Sequence, residues 1–451
     1  MTDGPHPAAD ARPAGQPGSP TQTVARWAEV HRLAVAGREP EIARDVGDLV
    51  SRAWVRRSRF ADVAALATAT LTLGPDADAY YHLGHAQYVT GQPWQALASQ
   101  EQALHLYREA GDRNDEAGTL NNIGATYDRL GDGERALAHY EEALAIAREV
   151  GDRDGEAGTL NNIGHLHDRL GEWDDALSYF GQSLPIQREV GNREGEAATL
   201  SNIGFVYDNQ GDRERALAHY TRALPIQREV GDRVGEAVTL NNIGYVYARR
   251  GDGEQALIHY AQALPIRREV GDRNGEAATL NNIGLVLSDR GDGDGALSYY
   301  TQALPIAREV GDRFGEANTL SNIGLVYARR GDAERALSYY GQALSIARAI
   351  GDRLGEANTL NNMASIRLQQ GDLVGTKDMF TEVLETLRIV GDRRSEATVS
   401  ANMALLLLKM AHVDQATGYL RRAVVLAEQT NHPELDRFRM ILAQIAQTGA
   451  R

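Results

Sequence analysis

Apolar residues recur at a helical period along most of this chain, in paired segments joined by short polar turns. In the stretch RVGEAVTLNNIGYVYARRGDGEQALIHY, Ala237, Leu240, Ile243, Gly244 and Tyr247 fall on one face, which predicts a helix from about Gly235 to Ala248. Gly251 follows, a residue suited to the left-handed backbone that ends a helix. Asp252 fits the N-cap of the next helix and Glu254 its first turn. The second segment carries Ala256, Leu257, Tyr260, Ala263 and Leu264 on one face; Gly271 ends it and Asp272 caps the helix after it. Pro185, Pro225, Pro265 and Pro305 fall inside second helices. Each deletes one backbone bond, which predicts a kink rather than a break.

This paired pattern repeats. Gly-Asp-Arg, or Gly-Asn-Arg in one case, begins at Gly111, Gly151, Gly191, Gly231, Gly271, Gly311, Gly351 and Gly391, a spacing of 40 without insertion or deletion. A 451-residue chain would otherwise suggest several globular domains. A fixed period instead predicts a stack of similar helix pairs, each burying its apolar face on its neighbours. The ends depart from the pattern. Residues 75–110 lack the Asn pair of the later units, and 23–73 read as three helices. Units 355–390 and 395–430 carry Ala364 and Ala404 in place of Gly. The expected layout is a Pro-rich disordered tail over 1–22, a degenerate helical cap over 23–74, nine units over 75–430, and a capping helix (433–447) with tail over 431–451.

The order of Leu240, Ile243-Gly244 and Tyr247, followed by Ala256, Tyr260 and Ala263, resembles the tetratricopeptide repeat. Most such units have 34 residues; these have six more, in a longer second helix and loop. That longer form is similar to the repeats of kinesin light chains, of spindle-orientation adaptors and of bacterial arrays joined to signalling domains. The resemblance implies an all-α, right-handed superhelical solenoid capped at both ends. It also implies that the first helix of each unit lines a concave wall.

On that helix one stripe differs from the packing face. Val238, Asn242, Tyr245 and Arg249 are spaced 4, 3 and 4 apart and therefore align. The Asn is the same in every unit after the first: Asn122, Asn162, Asn202, Asn242, Asn282, Asn322, Asn362 and Asn402. The residue before it is less constant, being Ser201, Ser321 or Ala401 in three units. Three positions after the constant Asn the chain instead diversifies, through Ala125, His165, Phe205, Tyr245, Leu285, Leu325, Ser365 and Leu405. A similar scatter includes Arg129, Arg169, Asn209, Arg249, Asp289, Arg329 and Gln369.

Variation confined to one stripe of a fixed scaffold is what a recognition surface shows. An Asn amide offers an acceptor and two donors, enough to hold both polar groups of an extended peptide. The candidate peptide-binding residues are thus the eight constant Asn, the variable His165, Phe205, Tyr245, Leu285 and Leu325, and the basic Arg169, Arg249 and Arg329. Asn ladders that hold peptides are also what the resemblance implies. The same Asn residues have a second possible use, bonding to a neighbouring helix. If they serve a ligand alone, changing Asn242 and Asn282 to Ala abolishes partner capture with little loss of stability.

Composition narrows the partners. A formal charge of −15 and a pI near 5.3 argue against nucleic acid and against an anionic membrane surface. The chain has no Cys, so disulfides, thiolate metal sites and Cys nucleophiles are excluded. The start has neither a basic region nor an apolar core, and no apolar run approaches the ~18 residues of a membrane span; a cytoplasmic location is expected. The preference for Arg over Lys, which occurs only at 377 and 409, suggests a GC-rich, bacterial genome.

Several local signals carry no function on their spacing. Arg250-Gly251-Asp252, with copies at 290–292 and 330–332, is read as an inter-helix turn rather than an adhesion tripeptide. His165 and His167 lie two apart, on different faces, and cannot pair on a metal as an i, i+4 spacing would. Asp292-Gly-Asp294-Gly lacks the further carboxylates of a calcium loop. His139, His219 and His259 share a site with Tyr179, Tyr299 and Tyr339, which asks for a flat ring with a polar tip rather than proton chemistry. No phosphate-binding or metalloprotease motif is present. The sequence therefore predicts a non-enzymatic scaffold, without catalytic residues, metal or cofactor, that binds a protein or peptide. Two alternatives stand beside it: a peptide-responsive sensor acting on a separate effector, and an enzyme, which would need a convergent acid–base set in the solenoid interior.

Overall fold

Glycine and aspartate punctuate the whole molecule. In the turn between two helices Gly251 takes φ 82°, and the Asp252 carboxylate accepts the backbone N–H of Gln255 at 3.1 Å. Between units, Gly271 takes φ 73° and Asp272 accepts from Gly275 N at 2.8 Å. The left-handed residue ends one helix without a Cβ penalty and the carboxylate satisfies a donor at the start of the next. Arg-Gly-Asp is here this turn, as expected.

The computed structural model describes the backbone of residues 20–449 and the side chains of residues 23–445. Among the described residues every regular element is an α-helix. The chain divides after Asp212 into two compact units. In the first, α1 (Pro20–Gly37), α2 (Pro40–Val55) and α3 (Phe60–Leu71) precede the pairs α4 (Ala77–Val89) with α5 (Pro93–Ala110), α6 (Arg113–Leu130) with α7 (Gly133–Val150), and α8 (Arg153–Leu170) with α9 (Trp173–Val190). Helix α10 (Arg193–Asn209) completes it. The second unit opens with α11 (Arg213–Val230). Its pairs are α12 (Arg233–Arg249) with α13 (Gly253–Val270), α14 (Arg273–Asp289) with α15 (Gly293–Val310), α16 (Arg313–Arg329) with α17 (Ala333–Ile350), α18 (Arg353–Gln369) with α19 (Leu373–Val390), and α20 (Arg393–Lys409) with α21 (Val413–Gln429). Helix α22 (Leu435–Gly449) closes it. Of the expected disordered segment 1–22, residues 1–19 lie outside the described residues. Helix α1 begins at Pro20 instead of after residue 22, because Pro at the first helical position has the right φ and lacks only an N–H that would go unbonded.

Each helix has two neighbours, so the core has two kinds of contact. Within a pair, Ala237 and Leu240 of α12 meet Ala263 and Ile266 of α13. Between pairs, Ala256 and Tyr260 of α13 meet Ile283 and Val286 of α14. The single-face reading missed Val246, Val286 and Ile266, all buried; Val286 packs on the preceding pair and Ile266 within its own. It also placed Tyr247 in the core, where it is only half-buried and stacks on His259 with ring centroids 5.4 Å apart. Within each unit consecutive first helices touch, α6 with α8 and α12 with α14 among them, while consecutive second helices do not come as close. The first helices thus lie on the inner side of the stack.

The Ile-Gly step is a notch for an aromatic ring. A Cβ on Gly284 would stand 2.5 Å from Cε1 of Tyr300, which is fully buried. In the last pair, where Ala404 replaces Gly, the ring's place is taken by Leu420. Gly284→Ala is expected to lower stability by about 1–3 kcal/mol through overpacking, despite up to ~1 kcal/mol of better helix propensity. Urea denaturation of the variant checks this. The four internal prolines leave α9, α11, α13 and α15 continuous. They sit on exposed positions, where water can satisfy the carbonyl that loses its partner.

One structural device escaped the sequence reading. Glu116, Glu156, Glu196, Glu236, Glu276, Glu316, Glu356 and Glu396 are all buried. Glu116 accepts Nε of Arg108 at 2.8 Å from the end of α5 and Nη1 of Arg113 at 2.7 Å from the start of α6. Arg113 also donates to Glu149 at 2.7 Å, and Arg108 to Glu142 at 2.6 Å, both on α7. Burial opposes ionisation of Glu116, yet the hydrogen bonds from the two arginines outweigh it and hold the carboxyl below the usual carboxylate range. The Arg of Gly-Asp-Arg is thus half of a clamp on the Glu three residues later. Its signal was the invariance of both residues and of the Arg near the end of each second helix.

Candidate functional site

On α12, Val234, Val238, Tyr245 and Arg249 are exposed and Asn242 is half-buried. The expected stripe therefore faces outward from the inner helices. Val234, 54% exposed, extends it by one turn and was not anticipated; Phe314 and Leu354 occupy the same exposed position on α16 and α18. The chain holds Asn114, Asp154, Glu194, Val234, Asn274, Phe314, Leu354 and Arg394 there, a scatter that marks the position as plainly as that at 245. In the first unit His165 and Phe205 are likewise exposed. Leu285 and Leu325 are half-buried.

The constant Asn residues are linked between units. Asn162 donates from Nδ2 to Oδ1 of Asn121 at 3.0 Å, and Asn202 to Asn161 at 3.2 Å. In the second unit Asn282 donates to Asn241 at 3.3 Å and Asn322 to Asn281 at 3.1 Å. The same acceptors take a second bond from a buried Thr: Thr279 Oγ1 to Asn241 at 3.2 Å and Thr319 Oγ1 to Asn281 at 3.3 Å. The first Asn is therefore an acceptor for two donors of the following unit. The constant Asn spends one amide N–H on this bond, which leaves Asn282 a second N–H and Oδ1 for another partner.

The bond pattern fails where the sequence changes. Val399 stands in the place of the buried Thr, and Oδ1 of Asn361 is buried without a partner. Val399→Thr should restore the donor and raise stability by about 0.5–1.5 kcal/mol, read as a higher urea midpoint.

The basic residues divide. Arg169 donates Nη1 to the carbonyl of Asp128 at 2.9 Å and to its carboxylate at 2.6 Å. Arg329 donates Nη1 to the carbonyl of Ser288 at 2.9 Å. Both carbonyls belong to the last turn of the preceding first helix, where a cation complements the helix dipole. These two arginines tie neighbouring units. Arg249 lies over the Tyr245 ring, 5.7 Å from its centroid.

Tyr245, Ala248 and Arg249 of α12 and Asn282, Leu285 and Asp289 of α14 line one groove of about 500 Å³, floored by Tyr260. It brings together four of the anticipated residues and adds Asp289. Its walls offer an aromatic ring, an aliphatic side chain, an amide, the Asp289 carboxylate and the guanidinium groups of Arg249 and Arg290. A second cavity, about 580 Å³, lies among Leu257, Leu264, Pro265, Leu287 and Tyr299 and holds none of them.

The shared His/Tyr site of the second helices is a stacking position. His139 stacks on Tyr127 with centroids 5.4 Å apart and Tyr339 on Tyr327 at 5.6 Å. Burial pushes the His139 imidazole below its ordinary value.

Models of the tetratricopeptide repeat match residues 115–189, 155–229, 195–269, 235–309 and 275–349, which together exceed half of the chain. The protein belongs to the tetratricopeptide repeat family, and its fold is that family's all-α superhelical array. No curated protein sequence matches it. Among solved structures it is similar to the apo form of the quorum sensor NprR from B. thuringiensis, at 18% identity and TM-score 0.54 over 75% of this chain and 99% of that one. It is also similar to a Rap protein complexed with competence and sporulation factor, at 14% identity and TM-score 0.52 over 74% and 99%. A third is a signal transduction ATPase with a tetratricopeptide repeat sensor from Pyrococcus horikoshii, at 16% identity and TM-score 0.55 over 73% and 50%. These likenesses concern the fold. No described helix is long and apolar enough to cross a membrane.

Proposed function

We propose that this protein is a non-enzymatic scaffold that holds an extended peptide segment of a partner on the inner, first-helix face, in the cytoplasm of a bacterium. The observation that carries the reading is an inequality between the paired Asn residues. Asn241 accepts two bonds from the following unit, yet its position varies to Ser201, Ser321 and Ala401. Asn282 makes one bond to the preceding unit, yet its position is Asn in all eight units from Asn122 to Asn402. Packing alone would fix the residue with more bonds; a second duty for the constant Asn accounts for the reverse. The groove beside Asn282 supplies that duty's setting: backbone groups of a peptide meet the amide, and a side chain enters between Tyr245 and Leu285. That a Rap protein of similar fold is complexed with a factor supports the reading.

The test is selection from a displayed random-peptide library on the native full chain, with Tyr245→Ala/Leu285→Ala as comparator. Tyr245 is 44% exposed and Leu285 half-buried, so the double variant should keep the native fold, as circular dichroism will check. Selected peptides should bind it at least about tenfold more weakly, since losing two apolar contacts costs more than 1.4 kcal/mol. Equal binding by both proteins would refute the groove as the site.

A further inference from the structure

The α8–α9 unit differs at three positions at once from the units that carry Tyr, Asp and Arg there. Where Tyr127, Tyr207, Tyr247 and Tyr327 stand in other first helices, α8 carries His167. Where Asp132, Asp252, Asp292, Asp332 and Asp372 cap other second helices, α9 is preceded by Glu172. Where Arg135 and Arg335 follow three residues later, α9 carries Asp175. In the consensus units these places make a cation–π pair, Arg135 over Tyr127 at 5.5 Å and Arg335 over Tyr327 at 5.1 Å. In this unit they bring a ring nitrogen and two carboxylate oxygens within 4.8 Å of one another.

The local bonds depart as well. The capping Asp residues accept the N–H three residues on, as Asp132 does from Arg135 at 3.1 Å, whereas Glu172 makes no cap bond. Its Oε2 lies instead 2.7 Å from Nδ1 of His167. Giving up an N-cap costs about 1 kcal/mol, so the carboxylate has been diverted to another use. Asp175 has no hydrogen-bond or ion-pair partner among the described residues, and two carboxylates side by side repel. The imidazole is held flat against Tyr179, with centroids 5.2 Å apart and planes 7° from parallel, so the plane that carries its lone pair is fixed.

We infer that His167, Glu172 and Asp175 form a divalent transition-metal site at the α8–α9 turn. One imidazole with two carboxylates is a donor set of the kind zinc accepts, with the fourth position left to water. Tetrahedral bonds of about 2.0–2.2 Å bring donor atoms to about 3.4 Å apart. The Glu172 oxygen, 2.7 Å from Nδ1 of His167, and the Asp175 oxygen, within 4.8 Å of both, belong to exposed side chains that can rotate to that spacing. Bound metal neutralises the paired carboxylates and fastens the last turn of α8 to the first turn of α9, which lacks its cap. Spacing in the sequence pointed to His165 and His167 as the only pair worth weighing; the partners of His167 come across the turn instead. This inference is independent of the peptide reading.

The test uses the native chain titrated with ZnCl2 by calorimetry, beside the variant His167→Tyr/Glu172→Asp/Asp175→Arg. Each substitution installs the residue that other units carry at that place, so the fold should persist; His167→Gln alone, with its circular dichroism, serves if it does not. The native chain should bind one zinc ion with an affinity at least about tenfold above either variant. Zinc should also raise its melting temperature and leave that of the variants unmoved. Zinc binding that is equal in native and variant chains, or undetectable in the native chain, overturns the assignment.

Discussion

Glu116→Ala is expected to lower stability by about 2–3 kcal/mol. The side chain lies at the junction of α5, α6 and α7 and is reached by Arg108 and Arg113 together. Its removal leaves two guanidinium groups that are partly solvated, with side chains 45% and 41% exposed, so the loss falls below that of a fully buried orphan charge. Because each unit touches only its neighbours, urea unfolding of the variant should broaden or split rather than shift as one transition. The same pair predicts a pH dependence. The carboxyl's folded value lies below the ordinary glutamate value of about 4.5, so its contribution is complete above about pH 4.5 and is lost as pH falls through the folded value. Native and Glu116→Ala proteins should therefore differ most near neutrality and converge in acid, as thermal melts at stepped pH will measure.

Asn241→Ala and Asn282→Ala should separate two roles that the sequence joins. Asn241→Ala orphans the hydroxyl of buried Thr279 and the amide of Asn282, a cost of about 1–3 kcal/mol. Asn282→Ala loses one inter-unit bond, about 0.5–1.5 kcal/mol, and with it a groove donor and acceptor. Peptide affinity should fall more in Asn282→Ala, and the urea midpoint more in Asn241→Ala. If both measurements rank the variants in the same order, with Asn241→Ala the worse in each, the constant Asn has no role in ligand capture. The expectation of binding loss with little stability loss is thereby revised: part of the Asn amide is already committed to the neighbouring unit.

Most of the fold was legible because period, Gly and Asp are local signals. The turn at Gly251-Asp252 and the caps follow from backbone preferences that act within a few residues. Val286 was not legible from one helical face, since its burial depends on the pair before it. Glu116 was missed because a charged residue in a first turn reads as a dipole complement; its burial follows from two arginines, one of them eight residues earlier across the turn. The candidate site was legible as a stripe, since the positions of Tyr245 and Leu285 vary while their neighbours do not. Arg169 and Arg329 belonged to the same scatter, but a guanidinium is long enough to reach back to the previous helix. Sequence position cannot tell that reach from one toward a ligand.

The clamp has a consequence for how such a chain changes length. Its two arginines come from adjoining units, and any unit supplies the same one to the next. Excising residues 273–312 would join Asp272 to Arg313, bring Arg268 to Glu316 in place of Glu276, and leave the Asp272 cap in register. Units of this kind behave as interchangeable cassettes, so loss or gain of a 40-residue segment alters the span of the first-helix face without creating an unmatched junction.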